Sequence, residues 1–269
     1  MKRKLVLNPT IGADIEVFLR DKISDEIVSA EGIIHGTKEE PFHFMKENHF
    51  YATSLDNVMA EFCIPPAKTG DEFRTGIETA LNYIHNTIPG NLSILAFPSA
   101  KVDGRWLDTP NAQMFGCEPD YNAWLNGIVN DKPTAADSTL RSCGGHIHIG
   151  YDESNPQVNI SLIKAMDIFV GLPSVIEEPD NDRKLLYGRA GAFRNKDYGA
   201  EYRTVSNYYI NSKELTKWVF ENTLQAIEFV NRESVISEEE GQAIRTAINK
   251  ADKQLAQTMC TYFGVKLAA

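Results

Sequence analysis

Paired cysteines, long apolar runs, internal repeats and a surplus of basic residues are all missing from this 269-residue chain. The four cysteines, Cys63, Cys117, Cys143 and Cys260, are scattered without a Cys-x-x-Cys pair, which excludes a zinc ribbon or a disulfide frame and points to reduced, structural thiols. No stretch reads as the roughly 20 apolar residues of a membrane helix, so no membrane partner is expected. The basic start Met1-Lys2-Arg3-Lys4 is followed only by Leu5-Val6-Leu7, too short for a signal-peptide core, and the expected compartment is the cytoplasm. Lys and Arg number 27 against 37 Asp and Glu, a net charge of −10. Nucleic acid binding needs a basic surface to displace counterions, so no nucleic acid partner is expected. With no repeat and no low-complexity linker, one domain over residues 1–269 is expected.

Hydrophobic residues make up 42% and charged residues 24% of the chain, enough for a substantial core. The polar and apolar residues of Ile11–Leu19 alternate as in a half-buried strand. Val58–Ile64 reads as a second strand, stopped by Pro65-Pro66, and Leu92–Phe97 as a short buried one. Between them Phe73, Ile77, Leu81 and Ile84 recur at helical spacing up to Pro89-Gly90. Residues 98–140 are rich in Gly, Pro and Asn and read as loops. Gly145–Gly150 and Gly199–Asn207 complete the expected strands. Asn155-Pro156 opens a helix running towards Gly171, and two helices, after Ser212 and Ser237, close the chain over 211–269. Strands without regular βα alternation predict an α+β domain, a mostly antiparallel sheet backed by helices on one face.

Three of these strands carry paired polar residues one position apart: Asp14-x-Glu16, His146-x-His148 and Glu201-x-Arg203. Side chains at i and i+2 share a face of a strand. The intervening Ile15, Ile147 and Tyr202 demand a covered face, which leaves acids, imidazoles and an arginine together on the other. Each pair alone reads as a solvated strand face or a satisfied core histidine; their joint occurrence reads as a site. Glu61 adds a fourth strand position. Asp56, five residues earlier, points away in an unbroken strand and reaches the site only from a preceding loop. Oxygen donors with a neutral imidazole suit Mg²⁺ or Mn²⁺ rather than structural zinc. Arg183, Arg189 and Arg194, with Gly188 and Gly191, form a local positive cluster in an acidic protein, and guanidinium forks grip phosphate oxygens in pairs. Metals, carboxylates and such arginines together point to phosphoryl transfer.

The motifs Gly12-x-Asp14-x-Glu16, Gly144-Gly145-His146-x-His148-x-Gly150 and Arg189…Arg194…Glu201-x-Arg203 resemble, in order, the active-site pattern of the glutamine synthetase and glutamate–cysteine ligase superfamily. The nearest look-alike is the phage-associated COOH–NH2 ligase family, type 2, over residues 10–210. The resemblance implies a glutamine-synthetase-like fold, with the site on the concave face of the sheet. It implies an ATP- and Mg²⁺- (or Mn²⁺-) dependent ligase that forms ADP, joining a small-molecule or peptide carboxylate to an amine through an acyl phosphate. Glu16, Asp56 and Glu61 would hold one metal, and Asp14, His146 and Glu201 a second. Arg189, Arg194 and Arg203 would steady the transferring phosphoryl group, and His148 would sit beside the nucleotide phosphates. Asp14 departs from the pattern, which has a longer Glu there, and the Asp56-to-Glu61 spacing is short.

Three other readings compete: a metal-dependent hydrolase built on the two histidines, a guanidino kinase, and a non-catalytic phage-type interaction protein on the same fold. Cys143 reads as a buried strand-edge thiol rather than a nucleophile. The loops around 20–50 and 98–140, with His35, His43, His49 and Trp106, are expected to shape substrate choice; the sequence names neither the substrates nor the oligomeric state.

Overall fold

The structure, a computed structural model, describes residues 5–113, 119–130, 138–178 and 182–268. Cys117 lies outside them; Cys63, Cys143 and Cys260 are free thiols. In chain order the first half holds β1 (Thr10–Asp21), β2 (Ile27–Val28), β3 (Phe42–Lys46), β4 (His49–Asp56), β5 (Met59–Cys63), α1 (Gly70–Thr87), β6 (Leu92–Leu95), β7 (Ser99–Lys101), α2 (Pro110–Gln113), β8 (Tyr121–Asn122) and β9 (Ile128–Val129). The second half holds β10 (Leu140–Ser142), β11 (Gly145–Gly150), α3 (Pro156–Met166), α4 (Leu172–Glu177), α5 (Arg183–Leu186), β12 (Ala192–Lys196), β13 (Gly199–Tyr202), α6 (Lys213–Asn231), α7 (Glu238–Asn249) and α8 (Lys253–Phe263).

The main sheet runs β3-β4-β5-β1-β11-β13-β12-β8-β9, every neighbouring pair antiparallel, with β2 and β6 joined to the far end of β1. This is a mixed architecture of helices and a large antiparallel sheet, as strands without regular βα alternation predict. Ile11, Ala13, Ile15 and Val17 of β1, Ile147 and Ile149 of β11, Phe193 of β12 and Tyr202 of β13 are buried in one core. Against them pack Leu162, Ile163 and Met166 of α3, Val219 and Phe220 of α6, and Phe73, Ile77 and Ile84 of α1. Each large side chain so covered contributes about 1.5–3 kcal/mol. A slip of one residue in β1 would drive Asp14 and Glu16 into that core, so the packing fixes the register that builds the polar face.

Local sequence sets the element ends. Thr69 accepts the Glu72 amide at the start of α1, and Asn155 accepts those of Gln157 and Val158 ahead of Pro156. Ser212 caps α6, and Ser237 with Glu240 forms a capping box on α7; each cap contributes about 1 kcal/mol. Pro173, which lacks an amide hydrogen, follows a π turn at Asp167–Gly171 that joins α3 to α4. Buried Asp167 in that turn accepts from Trp124 Nε1 at 2.6 Å and Tyr202 Oη at 2.7 Å, tying the helix to β13.

Several expectations need correction. The helical run 156–177 is long and apolar enough to cross a membrane by length and composition, but most of it is buried inside the protein, as a core helix. Residues 20–50 include β3 and part of β4, and 98–140 include β7 to β9, so neither is only loop. The strand from Leu92 stops at Leu95, and that from Gly199 at Tyr202, before a 3-10 turn at Asn207–Asn211. Three helices close the chain, because Asp252 caps a third.

Candidate active site

One strand seeds the site. Asp14 and Glu16 face away from the helices; Asp14 lies opposite His146 of β11, and Glu16 opposite Glu61 of β5. His148 in turn lies opposite Glu201 of β13, and Glu201 opposite Arg194 of β12. Two groups of metal-ligating atoms result, each within 4.8 Å of one another: Asp14, His148 and Glu201, and Glu16, Asp56 and Glu61. Asp56 is the last residue of β4, not a loop residue, and β4 reverses through Asn57, whose φ of 56° lies in the left-handed region that asparagine tolerates. Ser54 faces Glu61 across this hairpin and donates to its Oε2 at 2.9 Å, so Asp56, two residues on, falls on the same face. Counting five residues along a single strand gave the opposite side; the reversal cancels it.

The two histidines divide differently from the expected arrangement. His146 is buried, its Nδ1 2.9 Å from Asp14 Oδ1 and 3.2 Å from Arg203 Nη1. Gly144 makes this possible, because a Cβ there would collide with the His146 ring. The Gly144 amide donates to Glu16 Oε2 at 2.6 Å. His148 Nε2 is buried, 3.2 Å from Asp14 Oδ2, makes no hydrogen bond, and forms a three-donor group with Asp14 and Glu201; His146 borders the same acids, its Nδ1 3.8 Å from Glu201 Oε1.

Electrostatics separate the groups. In the first, cations outweigh burial: Arg203, His146 and His148 hold the Glu201 carboxyl down at about 2, although burial and Asp14 push it up. Burial likewise raises Asp14, but the two imidazoles hold it well below the usual carboxylate range. Burial pulls His148 down and Asp14 more than restores it, whereas burial and Arg203 keep His146 below its ordinary value. In the second group, burial and the Asp56 and Glu61 carboxylates push Glu16 well up, and burial with Asp14 and Asp56 pushes Glu61 to about 8. One ammonium offsets this crowd: Lys38 Nζ sits 2.7 Å from Asp56 Oδ1.

The cluster of arginines splits by role. Arg203 is buried and its Nη1 makes a short ion pair with Glu201 Oε1; Arg194 Nη1 lies 3.6 Å from the same oxygen, and Lys196 Nζ 2.8 Å from Glu201 Oε2. Arg189 is exposed, and its carbonyl accepts from Thr204 Oγ1. Arg183 is no phosphate ligand: it is buried and donates to the carbonyls of Cys143, Thr204 and Arg203. Gly188 (φ 79°) abuts that guanidinium, so this glycine makes room for an arginine rather than a ligand. Lys38, Ser54, Lys196, Tyr198 and Asp120, whose Oδ2 lies 3.8 Å from Arg203 Nε, were not singled out from the sequence. Only Lys196, two residues from Arg194 on an alternating strand, carried a local signal.

Residues 135–264 match the family described as "Phage phiEco32-like COOH.NH2 ligase-type 2", the family to which the motifs point. The match takes in His146, His148, Arg189, Arg194, Glu201, Arg203 and the closing helices, and leaves out Asp14, Glu16, Asp56 and Glu61. No curated protein matches the chain. A solved structure of related shape is a bifunctional glutathione synthetase from Pasteurella multocida, at a TM-score of 0.42 and 10% identity over 95% of this chain. The chain spans 49% of that protein's length.

Proposed function

We propose that the protein is an ATP-dependent carboxylate–amine ligase that forms ADP and activates its carboxylate as an acyl phosphate, on a glutamine-synthetase-like fold. The observation that carries this reading is the pair of three-donor groups that meet at β1, which gives Asp14 to one and Glu16 to the other, with Arg203, Arg194 and Lys196 gathered around Glu201. Five carboxylates and one imidazole form a donor set suited to Mg²⁺ or Mn²⁺. A buried His148 Nε2 without a hydrogen bond and carboxyls pushed up by crowding are groups that a divalent cation satisfies. Glu16, Asp56 and Glu61 would hold one such ion and Asp14, His148 and Glu201 another, and the ions would neutralise phosphate charge.

The chain's own groups supply the rest. Arg203, held rigidly by Glu201, presents a fixed guanidinium where negative charge grows as a phosphoryl group moves to the substrate carboxylate. Arg194 and Lys196, on the next strand and beside the same carboxylate, add positive charge. A carboxylate is a poor electrophile because its leaving group would be oxide; phosphorylation supplies phosphate as leaving group, and the amine then expels it. The two substrates would be small molecules or peptides.

Hydroxylamine trapping tests this. With ATP, Mg²⁺ or Mn²⁺, hydroxylamine and a panel of amino acids and peptides as carboxylate donors, hydroxamate is expected to form together with ADP and phosphate. Glu201→Gln removes one charge with little change of shape and is expected to abolish the signal. AMP and pyrophosphate as products would refute the acyl-phosphate route, and turnover without ATP would favour a hydrolase.

A further inference from the structure

The turn between β12 and β13 places Tyr198 against His148: the Tyr198 hydroxyl lies 2.7 Å from His148 Nδ1, and the two rings stack at 6.0 Å and 22°. Nothing in the resemblance assigns this tyrosine a task. His148 thus has one ring nitrogen tied to a half-exposed phenol, while the other, buried and without a hydrogen bond, faces Asp14 and lies in the group with Glu201.

We infer that Tyr198 is a positioning residue that makes His148 a ligand through Nε2, by accepting a hydrogen bond from Nδ1–H. The inference rests on the reading of Asp14, His148 and Glu201 as a cation site. The chemistry selects the direction of the bond. An imidazole that gives a lone pair to a cation from Nε2 carries its proton on Nδ1, and that proton needs an acceptor. A phenolic oxygen accepts in this geometry without adding charge to a site already crowded with carboxylates. Had Tyr198 donated instead, the ring proton would sit on Nε2, pointing at the position a cation needs. The hydroxyl hydrogen of Tyr198, which the bond does not use, is left to solvent or substrate on the open side, where the residue is 46% exposed. The stacked rings also fix the rotation of the imidazole about its own axis, which a water in place of the hydroxyl would not do.

Tyr198→Phe keeps the ring and the stack and removes only the acceptor. The experiment titrates Mn²⁺ into wild type and Tyr198→Phe by calorimetry and records ¹⁵N shifts of His148 in the Mg²⁺-loaded forms. Wild type is expected to bind Mn²⁺ and, when loaded with Mg²⁺, to carry its His148 proton on Nδ1 and none on Nε2, and the variant to bind Mn²⁺ 10–100-fold more weakly, the usual effect of losing such an orienting partner. Unfolding temperatures within about 2 °C would show that the fold is not what changed. Equal Mn²⁺ affinity in the two proteins, or an Nε2–H tautomer in loaded wild type, would overturn the role of Tyr198 while leaving the cation site standing. No Mn²⁺ binding by wild type would overturn the cation reading itself, and this inference with it.

Discussion

Raising the pH of the cation-free protein from 5 to 8 is expected to destabilise it, and a divalent cation to cancel most of that loss. The ordinary value for the Glu61 carboxyl is 4.5; burial, with the Asp14 and Asp56 carboxylates, pushes it to about 8 in the folded protein. A carboxyl raised on folding keeps its proton better in the native state, so its contribution favours the fold at low pH and is lost as pH climbs from about 4.5 through 8. The displacement from 4.5 to about 8 is worth about 5 kcal/mol at about 1.36 kcal/mol per pH unit. Glu61 keeps some solvent contact, and screening brings the expected loss to roughly half of that. Glu16, raised by burial and the same neighbours, adds to the slope in the same direction. Urea unfolding at pH 5, 6.5 and 8, with chelator or with excess Mg²⁺, reads this directly. The cation-dependent gain should grow from pH 5 to 8, and Glu61→Gln should flatten the chelator curve. An equal gain at both ends of the range, or an unchanged slope in Glu61→Gln, would refute the argument that crowded carboxyls are the cation's site.

Two further outcomes separate the arginines. Arg203→Ala is expected to lower kcat on the order of 10³-fold, as loss of a guanidinium at a transferring phosphoryl group does, whereas exposed Arg232→Ala leaves kcat unchanged; steady-state ADP release checks both. Arg183→Met, by contrast, strands three buried carbonyls and is expected to cost about 3–5 kcal/mol of stability by urea unfolding, with ATP affinity in the surviving folded fraction unchanged.

The strands that carry the site were legible because their chemistry is written at a period of two. Asp14-x-Glu16 and His146-x-His148 are interrupted by Ile15 and Ile147, and burial of those isoleucines orients the pairs without further information. What could not be read is what depends on pairing between strands. Asp56 joins Glu61 through a hairpin whose turn at Asn57 carries no Gly signal, and Lys38 arrives from a separate loop. The segment before Glu201 reads as a phosphate loop, yet it holds a buried structural arginine at one end and a strand at the other. Tyr198 sits at a turn, where sequence gives no hint of which neighbour a ring will meet. The division of labour between His146 and His148 was invisible for a related reason: both occupy one face, and only Gly144 and Arg203 decide which of them turns inward.

Because β1 contributes Asp14 to one donor group and Glu16 to the other, the two groups are graduations on a single ruler. Residues two apart on a strand are separated by roughly 6.5–7 Å, a length that bond angles and the neighbouring ladders on both sides hold fixed. The sheet cannot stretch this interval, and shifting it by one residue would bury the acids. Any adjustment between the two groups during a reaction therefore has to come from side-chain rotation at the longer Glu16, Glu61 and Glu201, or from the bound molecules. Asp14, with one methylene fewer than Glu16 beside it on β1, has the shorter reach of the two, and so marks the fixed end of the scale.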